Sequence, residues 1–227
     1  MSGFFHSRKE NTMSAQFPNG TIFALATTLA AAKDVTAITN ANPGVATSTA
    51  HGYANGAILL LNMPSRLDQR VVRVAATAAN AFNLEGIDTT STAIYPTGFG
   101  VGTAQLANTF VSLSQVTDVA SAGGEQQFFQ WVYLEDGRQR QRPTFKNARS
   151  MTLTMDYDAQ LAWHAALLAA DLANTVYVMR ATLPTGATIY YSVYVGYDGE
   201  PTFNINQNQQ VTVSLALANP QSTRYAA

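Results

Sequence analysis

The sequence predicts a mainly β protein: a β-sandwich carrying one packed α-helix, with a small all-β block set into its N-terminal half. Three observations carry this reading. Met151, Leu153 and Met155 alternate with Ser150, Thr152 and Thr154, and Val211, Val213, Leu215 and Leu217 alternate with Gln210, Thr212, Ser214 and Ala216. That period of two is a strand with one buried and one wet or contact face. Short β-branched or aromatic runs between Val35 and about Leu106 are separated by turn residues. A single stretch, Leu161, Ala165, Leu168 and Leu172, has helical spacing.

In chain order, Asn40-Ala41-Asn42-Pro43-Gly44, His51-Gly52 and Asn55-Gly56 punctuate the first block. Ile58–Leu61, Val71–Val74 and Phe82–Leu84 read as its strands, since each is β-branched or aromatic and bounded by Gly, Pro, Asn or Asp. Evenly spaced short strands of this kind predict a small barrel or sandwich. Gly98-Phe99-Gly100-Val101-Gly102 reads as a flexible linker, a hinge that closes the block. From about Thr109 the strands lengthen. Ile189, Tyr191, Val193, Val195 and Tyr197 form a third alternating row, joined to Val176–Leu183 through Pro184-Thr185-Gly186 as a hairpin. Asp156 or Asp158 is expected to cap the one helix, and Asn174 to end it. Asp136-Gly137, between an aromatic run and a polar one, marks another hairpin turn.

Composition narrows the functional classes. The 227 residues include 13 Lys/Arg and 14 Asp/Glu, so 12% are charged, about half the usual share of about 25%. An apolar fraction of 47% with a net charge of −1 excludes a wholly disordered chain, and the length suits one to two domains. The absence of cysteine excludes a disulfide framework, cysteine-ligated metal and a thiol nucleophile. Three lysines, Lys9, Lys33 and Lys146, leave no basic footprint for gripping DNA. A surface this poor in charge is explained if copies of the chain cover it.

Arg8 and Lys9 ahead of the apolar run Ile22–Ala32 imitate a secretory signal. Glu10, the turn at Pro18-Asn19-Gly20, and Thr27-Thr28 within the run count against it. No stretch approaches the roughly 20 apolar residues of a membrane span. Residues 1–12 read as an irregular leader, 13–35 with 107–227 as the sandwich domain, and 36–106 as the inserted block.

Catalysis needs convergent titratable groups, and none converge here. His6, His51 and His164 have no metal-ligand spacing with each other or with carboxylates. Neither a nucleophile elbow nor a phosphate-binding GKS or GKT is present. Glu135 and Asp136 are adjacent, so a strand would aim them to opposite sides. No catalytic, cofactor or metal residue is therefore expected. The densest charge cluster, Glu135, Asp136, Arg138, Arg140 and Arg142, reads as an intermolecular contact, because guanidinium forks suit carboxylates across interfaces.

Several segments resemble one family in its expected order. Gln16-Phe17-Pro18-Asn19-Gly20, Ser121-Ala122-Gly123-Gly124-Glu125-Gln126-Gln127-Phe128, Leu134-Glu135-Asp136, Pro143-Thr144-Phe145-Lys146 and Thr223-Arg224-Tyr225-Ala226-Ala227 are similar to the major tail-tube proteins of long, non-contractile-tailed (siphovirus) bacteriophages. Ala50-His51-Gly52, Asn55-Gly56 and Phe82-Asn83-Leu84-Glu85-Gly86 resemble a small β-barrel inserted in many phage structural proteins. The residues before Met13 depart from the pattern.

The resemblance implies a non-enzymatic virion protein without cofactors, assembled in the host cytoplasm into hexameric rings. These stack into a hollow tube through which DNA passes without specific binding. It implies a tape-measure protein and tail-tip proteins as partners. Under this reading the Glu135–Arg142 hairpin makes the inter-ring contact, and the inserted barrel decorates the outside, so that its removal spares tube formation. A lumen should not hold phosphate, because each neutralised phosphate adds affinity; Asp118, Glu125, Asp156 and Asp198 are the candidate lumen-side acids. Alternatives are another head–tail structural protein (decoration or tail terminator) and a secreted adhesin-like β module.

Overall fold

The computed structural model describes residues 18–227. The leader 1–12, His6, Arg8, Lys9, Glu10, Met13 and Gln16-Phe17 lie outside the described residues. The described residues form sixteen strands and one helix in the order β1 (Ile22–Leu29), β2 (Lys33–Val35), β3 (Ala37–Ile38), β4 (Val45–Thr47), β5 (Ile58–Asn62), β6 (Val71–Ala78), β7 (Ala81–Leu84), β8 (Gly102–Leu113), β9 (Val116–Gly123), β10 (Gln126–Val132), β11 (Gln139–Lys146), β12 (Arg149–Asp156), α1 (Ala162–Ala173), β13 (Tyr177–Thr182), β14 (Thr188–Gly196), β15 (Gln210–Leu217) and β16 (Thr223–Tyr225). Fourteen of them join in one antiparallel sheet whose path runs β3-β4-β7-β6-β5-β8-β1-β13-β14-β15-β12-β9, with β2 added on β8 and β16 on β14; among the described residues β10 and β11 pair only with each other.

The alternating rows produce the strands they predict. In β15, Val211, Val213 and Leu215 are buried while Thr212, Ser214 and Ala216 face outward, and β12 repeats the pattern with Met151, Leu153 and Met155 inside. These side chains, with Leu25, Leu113, Met179, Val193 and Val195, close one core under α1. A second core lies between Val35 and Leu106 and contains Leu59, Leu61, Val72, Phe82 and Leu84. A third cluster joins the two, with Ile58, Leu60 and Val71 from one side and Val178, Tyr190 and Tyr225 from the other. The secretory-like run is β1, whose Leu25 and Ala26 are fully buried between β8 and β13.

Two local expectations are corrected. Gly98–Gly102 is not a flexible hinge. Phe99 is buried with its ring centroid 5.0 Å from that of Tyr95. A Cβ on Gly100 would collide with the Ile38 backbone, and one on Gly102 with the Asn62 carbonyl. Here glycine permits close approach of backbones. From Gly102, β8 then runs unbroken through Leu106 to Leu113, pairing with β2 and β5 at its start and with β1 along its later half.

The helix also buries a different face. Trp163, Leu167 and Ala170 point into the core, whereas Leu168 is 39% and Leu172 88% exposed. Apolar residues fill both stripes of this helix, so spacing alone selects neither; the bulk of Trp163 decides it. No side chain caps the N-terminus, whose N-cap position is Leu161. Asp158 instead makes a turn before it, its Oδ1 accepting the Gln160 N–H at 2.9 Å, and Asp156 accepts from Asn208 Nδ2 at 3.0 Å. Asn174 ends the helix in the left-handed conformation, as expected.

Candidate assembly surfaces

The strongest candidate surface is a protruding arm. β9 and β12 pair from Met155↔Val116 to Arg149↔Gly123. Beyond that point the same two chain segments continue as β10 and β11, so residues 116–156 form one long hairpin in two stages. Gly123 and Gly124 mark the join. Both have positive φ, and a Cβ on Gly123 would strike the Ala148 carbonyl, so the backbone turns there as only glycine readily allows. The Asn147 N–H donates to the Glu125 carbonyl at 3.0 Å and carries the ladder across the break.

Register sorts the arm into two unlike faces. Phe129 opposes Arg142 and Trp131 opposes Arg140; cross-strand partners share a face, and Arg138 follows in the same parity. The Phe129 and Trp131 rings stack at 5.8 Å. The opposite face carries Phe128, Gln130 and Val132 with Pro143, Gln141 and Gln139, and its charge, Lys146, stands beyond the bulge opposite Gln126. Every residue of β11 is exposed, and Leu134 at the turn is fully so. Among the described residues, β10 and β11 hydrogen-bond to no other element. A two-stranded ribbon is marginal alone in water, and this much exposed aromatic surface marks a contact site.

At the turn, Asp136 organises its neighbours. Its Oδ1 accepts the Arg138 N–H at 3.0 Å, and its other oxygen pairs with Arg140, whose guanidinium also lies 5.0 Å from the Tyr133 ring centre. Glu135, Arg138 and Arg142 make no ion pair among the described residues. The five expected contact residues thus stand together at the outer half of one arm.

A second feature lies where β14 ends beside β15. Asp171 of α1, Gly196, Tyr197, Asp198, Glu200, Thr202, Thr212 and Ser214 line a cleft of about 480 Å³. Asp171 Oδ1 accepts the Tyr197 N–H at 3.1 Å and ties the helix to the end of β14. Tyr197's hydroxyl lies 2.7 Å from His164 Nδ1, and burial pushes its pKa up to about 12. The exposed side chains of Leu168, Phe203 and Ile205 belong to the segments bordering this corner. Sequence reasoning missed the cleft because its acids come from a helix and a loop 27 residues apart, brought together only by the packing of α1 on β14.

The four candidate lumen acids are dispersed. Asp118 pairs across to Thr154, and Asp156 to Gln210, so both stand on the outward Ser/Thr face of β9, β12 and β15. Glu125 sits at the root of the arm, accepting from Asn147 Nδ2 at 3.3 Å, and Asp198 lines the acidic cleft. His51 is buried in the first core. Its Nδ1 accepts the Tyr53 N–H at 2.9 Å, which leaves Nε2 to donate to the Ala78 carbonyl at 2.9 Å. Among the described residues no three His, Asp or Glu side chains are grouped to hold a metal, and no helix is long and apolar enough to cross a membrane.

A family model described as phage tail tube protein (TTP) matches residues 63–227. The chain belongs to the phage tail tube protein family. It is accordingly a structural component of the virion tail, not an enzyme, and it assembles with itself into a tube that meets other tail components. Similarity extends to two solved assemblies. A chain of the virion of a native gene transfer agent particle is 10% identical, with 52% of this chain and 89% of that one covered at a TM-score of 0.38. A chain of the anti-feeding prophage cap, which terminates that tube, is 16% identical, with 48% and 79% covered at a TM-score of 0.31. No curated protein sequence matches the chain.

Proposed function

We propose that this tail tube protein forms hexameric rings that stack into the tube of a long non-contractile tail, with a tape-measure protein inside and tail-tip proteins at its start. The observation that carries this reading is the β10–β11 arm, a ribbon with aromatic and arginine side chains exposed and no partner strand among the described residues. Subunits in a ring or stack need heterologous, head-to-tail contacts, and a protruding ribbon gives the next ring a contact that its own sheet does not use. β9, which among the described residues pairs on one side only, offers an edge that a neighbour covers within the ring.

The outward face of β9 and β12 suits the lumen. It presents Ser150, Thr152 and Thr154 with Asp118 and Asp156, short polar side chains that leave phosphates free to slide. The block 36–106 has its own core and lies outside the tube wall in this reading.

Concentrated protein examined by negative-stain electron microscopy tests the proposal. Hollow tubes with sixfold end views are expected, and Arg138→Glu/Arg140→Glu/Arg142→Glu should remain a folded monomer that does not stack. Isolated rings without tubes would point to a terminator, and normal tubes from the triple variant would remove the arm from the inter-ring contact.

A further inference from the structure

The charges of this chain are segregated along its length. Residues 138–149 hold five of the 13 Lys/Arg (Arg138, Arg140, Arg142, Lys146 and Arg149) and no carboxylate. Residues 150–223 hold five of the 14 acids (Asp156, Asp158, Asp171, Asp198 and Glu200) with Arg180 as their one Lys or Arg. The arm also carries Glu125, Glu135 and Asp136, and Asp136 pairs with Arg140. Residues 125–149 therefore hold five Lys/Arg against three acids, with Arg138 and Arg142 unpaired among the described residues, whereas the corner is anionic.

The fold keeps the two apart. The arm leaves the sheet at the Arg149 end of β12, while the acidic cleft lies beside its Thr152–Asp156 half, where Ser214 and Thr212 of β15 pair with Thr152 and Thr154 and Thr202 bridges to Gln210, the partner of Asp156. Three to seven residues of strand separate Arg149 from the levels of Thr152 and Asp156, about 10–23 Å at roughly 3.3 Å per residue, and the arm continues beyond the Arg149 end. One chain does not satisfy both surfaces by itself, and head-to-tail placement satisfies them in series along an axis.

We infer that the Phe129/Trp131/Arg138/Arg140/Arg142 face of one subunit's arm docks on the Asp171/Asp198/Glu200 corner of a second copy of this chain in the next ring. This rests on the tube reading above and adds the receptor to it. Apolar surface matches as well as charge: Phe129, Tyr133 and Leu134 on the arm meet Leu168, Phe203 and Ile205 bordering the corner, all of them exposed in the single chain. Guanidinium groups supply forked donors to the carboxylates. Complementary charge also favours this direction of stacking, since corner-to-corner encounters repel.

The test mixes two variants. The first carries Arg138→Glu/Arg140→Glu/Arg142→Glu; the second carries Asp198→Lys/Glu200→Lys and leaves Asp171, which holds Tyr197, untouched. Each alone should lose tubes in electron microscopy while keeping wild-type circular dichroism, and the equimolar mixture should regain them, because each acidic arm then meets a basic corner. Tubes from either variant alone, or none from the mixture, would overturn the docking. An arm that instead faces DNA in the lumen would show itself as normal tubes from the first variant. The milder Asp198→Asn/Glu200→Gln pair preserves the turn in which Asp198 accepts the Glu200 N–H and should raise the critical assembly concentration about tenfold; no change would equally overturn the assignment. Wild-type protein that never forms tubes would refute the tube reading itself, which separates the two failures.

Discussion

The backbone N–H of Arg73 donates to the Tyr225 hydroxyl at 2.6 Å, and the guanidinium of the same arginine lies 4.2 Å from the centre of that tyrosine ring. These residues are 152 positions apart, and they fasten the C-terminal strand to the 36–106 block. Glu85 holds the arginine from its other side, its Oε2 accepting from Nε at 2.6 Å. Around this pair, Thr223 Oγ1 donates to the Val71 carbonyl, and Asn219 Nδ2 donates to that of Asp68 at 2.6 Å. Tyr225→Phe leaves the Arg73 N–H without its acceptor and should cost about 1–2 kcal/mol. The measurement is a lower urea midpoint at unchanged slope.

Stability should fall in alkali. Burial raises the pKa of Tyr225 and of Tyr197 from 10.0 to about 12 each. Because the folded value lies above the unfolded one, this contribution is fully present below pH 10 and is lost as pH rises toward 12. Each tyrosine should remove about 1.4 kcal/mol per pH unit within that window. Urea titrations at pH 9 and 11 check it, and Tyr225→Phe should flatten part of the slope.

Substitutions in α1 should sort by the observed face. Leu167 is fully buried, so Leu167→Ala should cost about 2–5 kcal/mol. Leu172, 88% exposed, should accept Ala or Ser within about 0.5 kcal/mol. Equal losses at the two positions would mean that the helix packs through the other stripe.

Gly102→Ala should destabilise by about 1–3 kcal/mol or more through overpacking against Asn62 and Met63. Gly98→Ala meets open space and bears only the strain of its positive φ, about 1 kcal/mol. A flexible hinge would instead tolerate both, so the pair of melting temperatures discriminates.

Removing residues 36–106 should lower the melting temperature by several degrees or more. The cut strips Tyr225 of Arg73 and uncovers Val178 and Tyr190, which pack against Ile58, Leu60 and Val71. A deletion variant with unchanged melting would show the block to be an independent appendage.

What could be read from the residues alone was local. Alternation over six to nine residues placed β12, β14 and β15 and identified the inward faces of β12 and β15, since side-chain direction in a strand depends only on parity; in β14 both faces are covered, with Tyr190 and Ser192 buried as well as Val193 and Val195. Asp136-Gly137 and Pro184-Thr185-Gly186 located two hairpins, and Asn174 the helix end, because turn and cap conformations belong to the residues that adopt them. The arm's arginines were visible as a cluster in a chain otherwise poor in charge.

Tertiary structure settled the rest. β8 and β9 are built from small and polar residues, such as Gly102-Thr103-Ala104 and Ala120-Ser121-Ala122, and only pairing with distant strands makes them extended. Packing chose Trp163 over Leu172 for the core and turned Gly98–Gly102 from a supposed linker into a close contact. Folding also set Asp171 beside Asp198 and Glu200 at the end of the sheet away from the arm. Neither a register nor a meeting of remote carboxylates is encoded in any one segment; each follows from which long-range pairs bury the most surface while leaving every backbone group bonded.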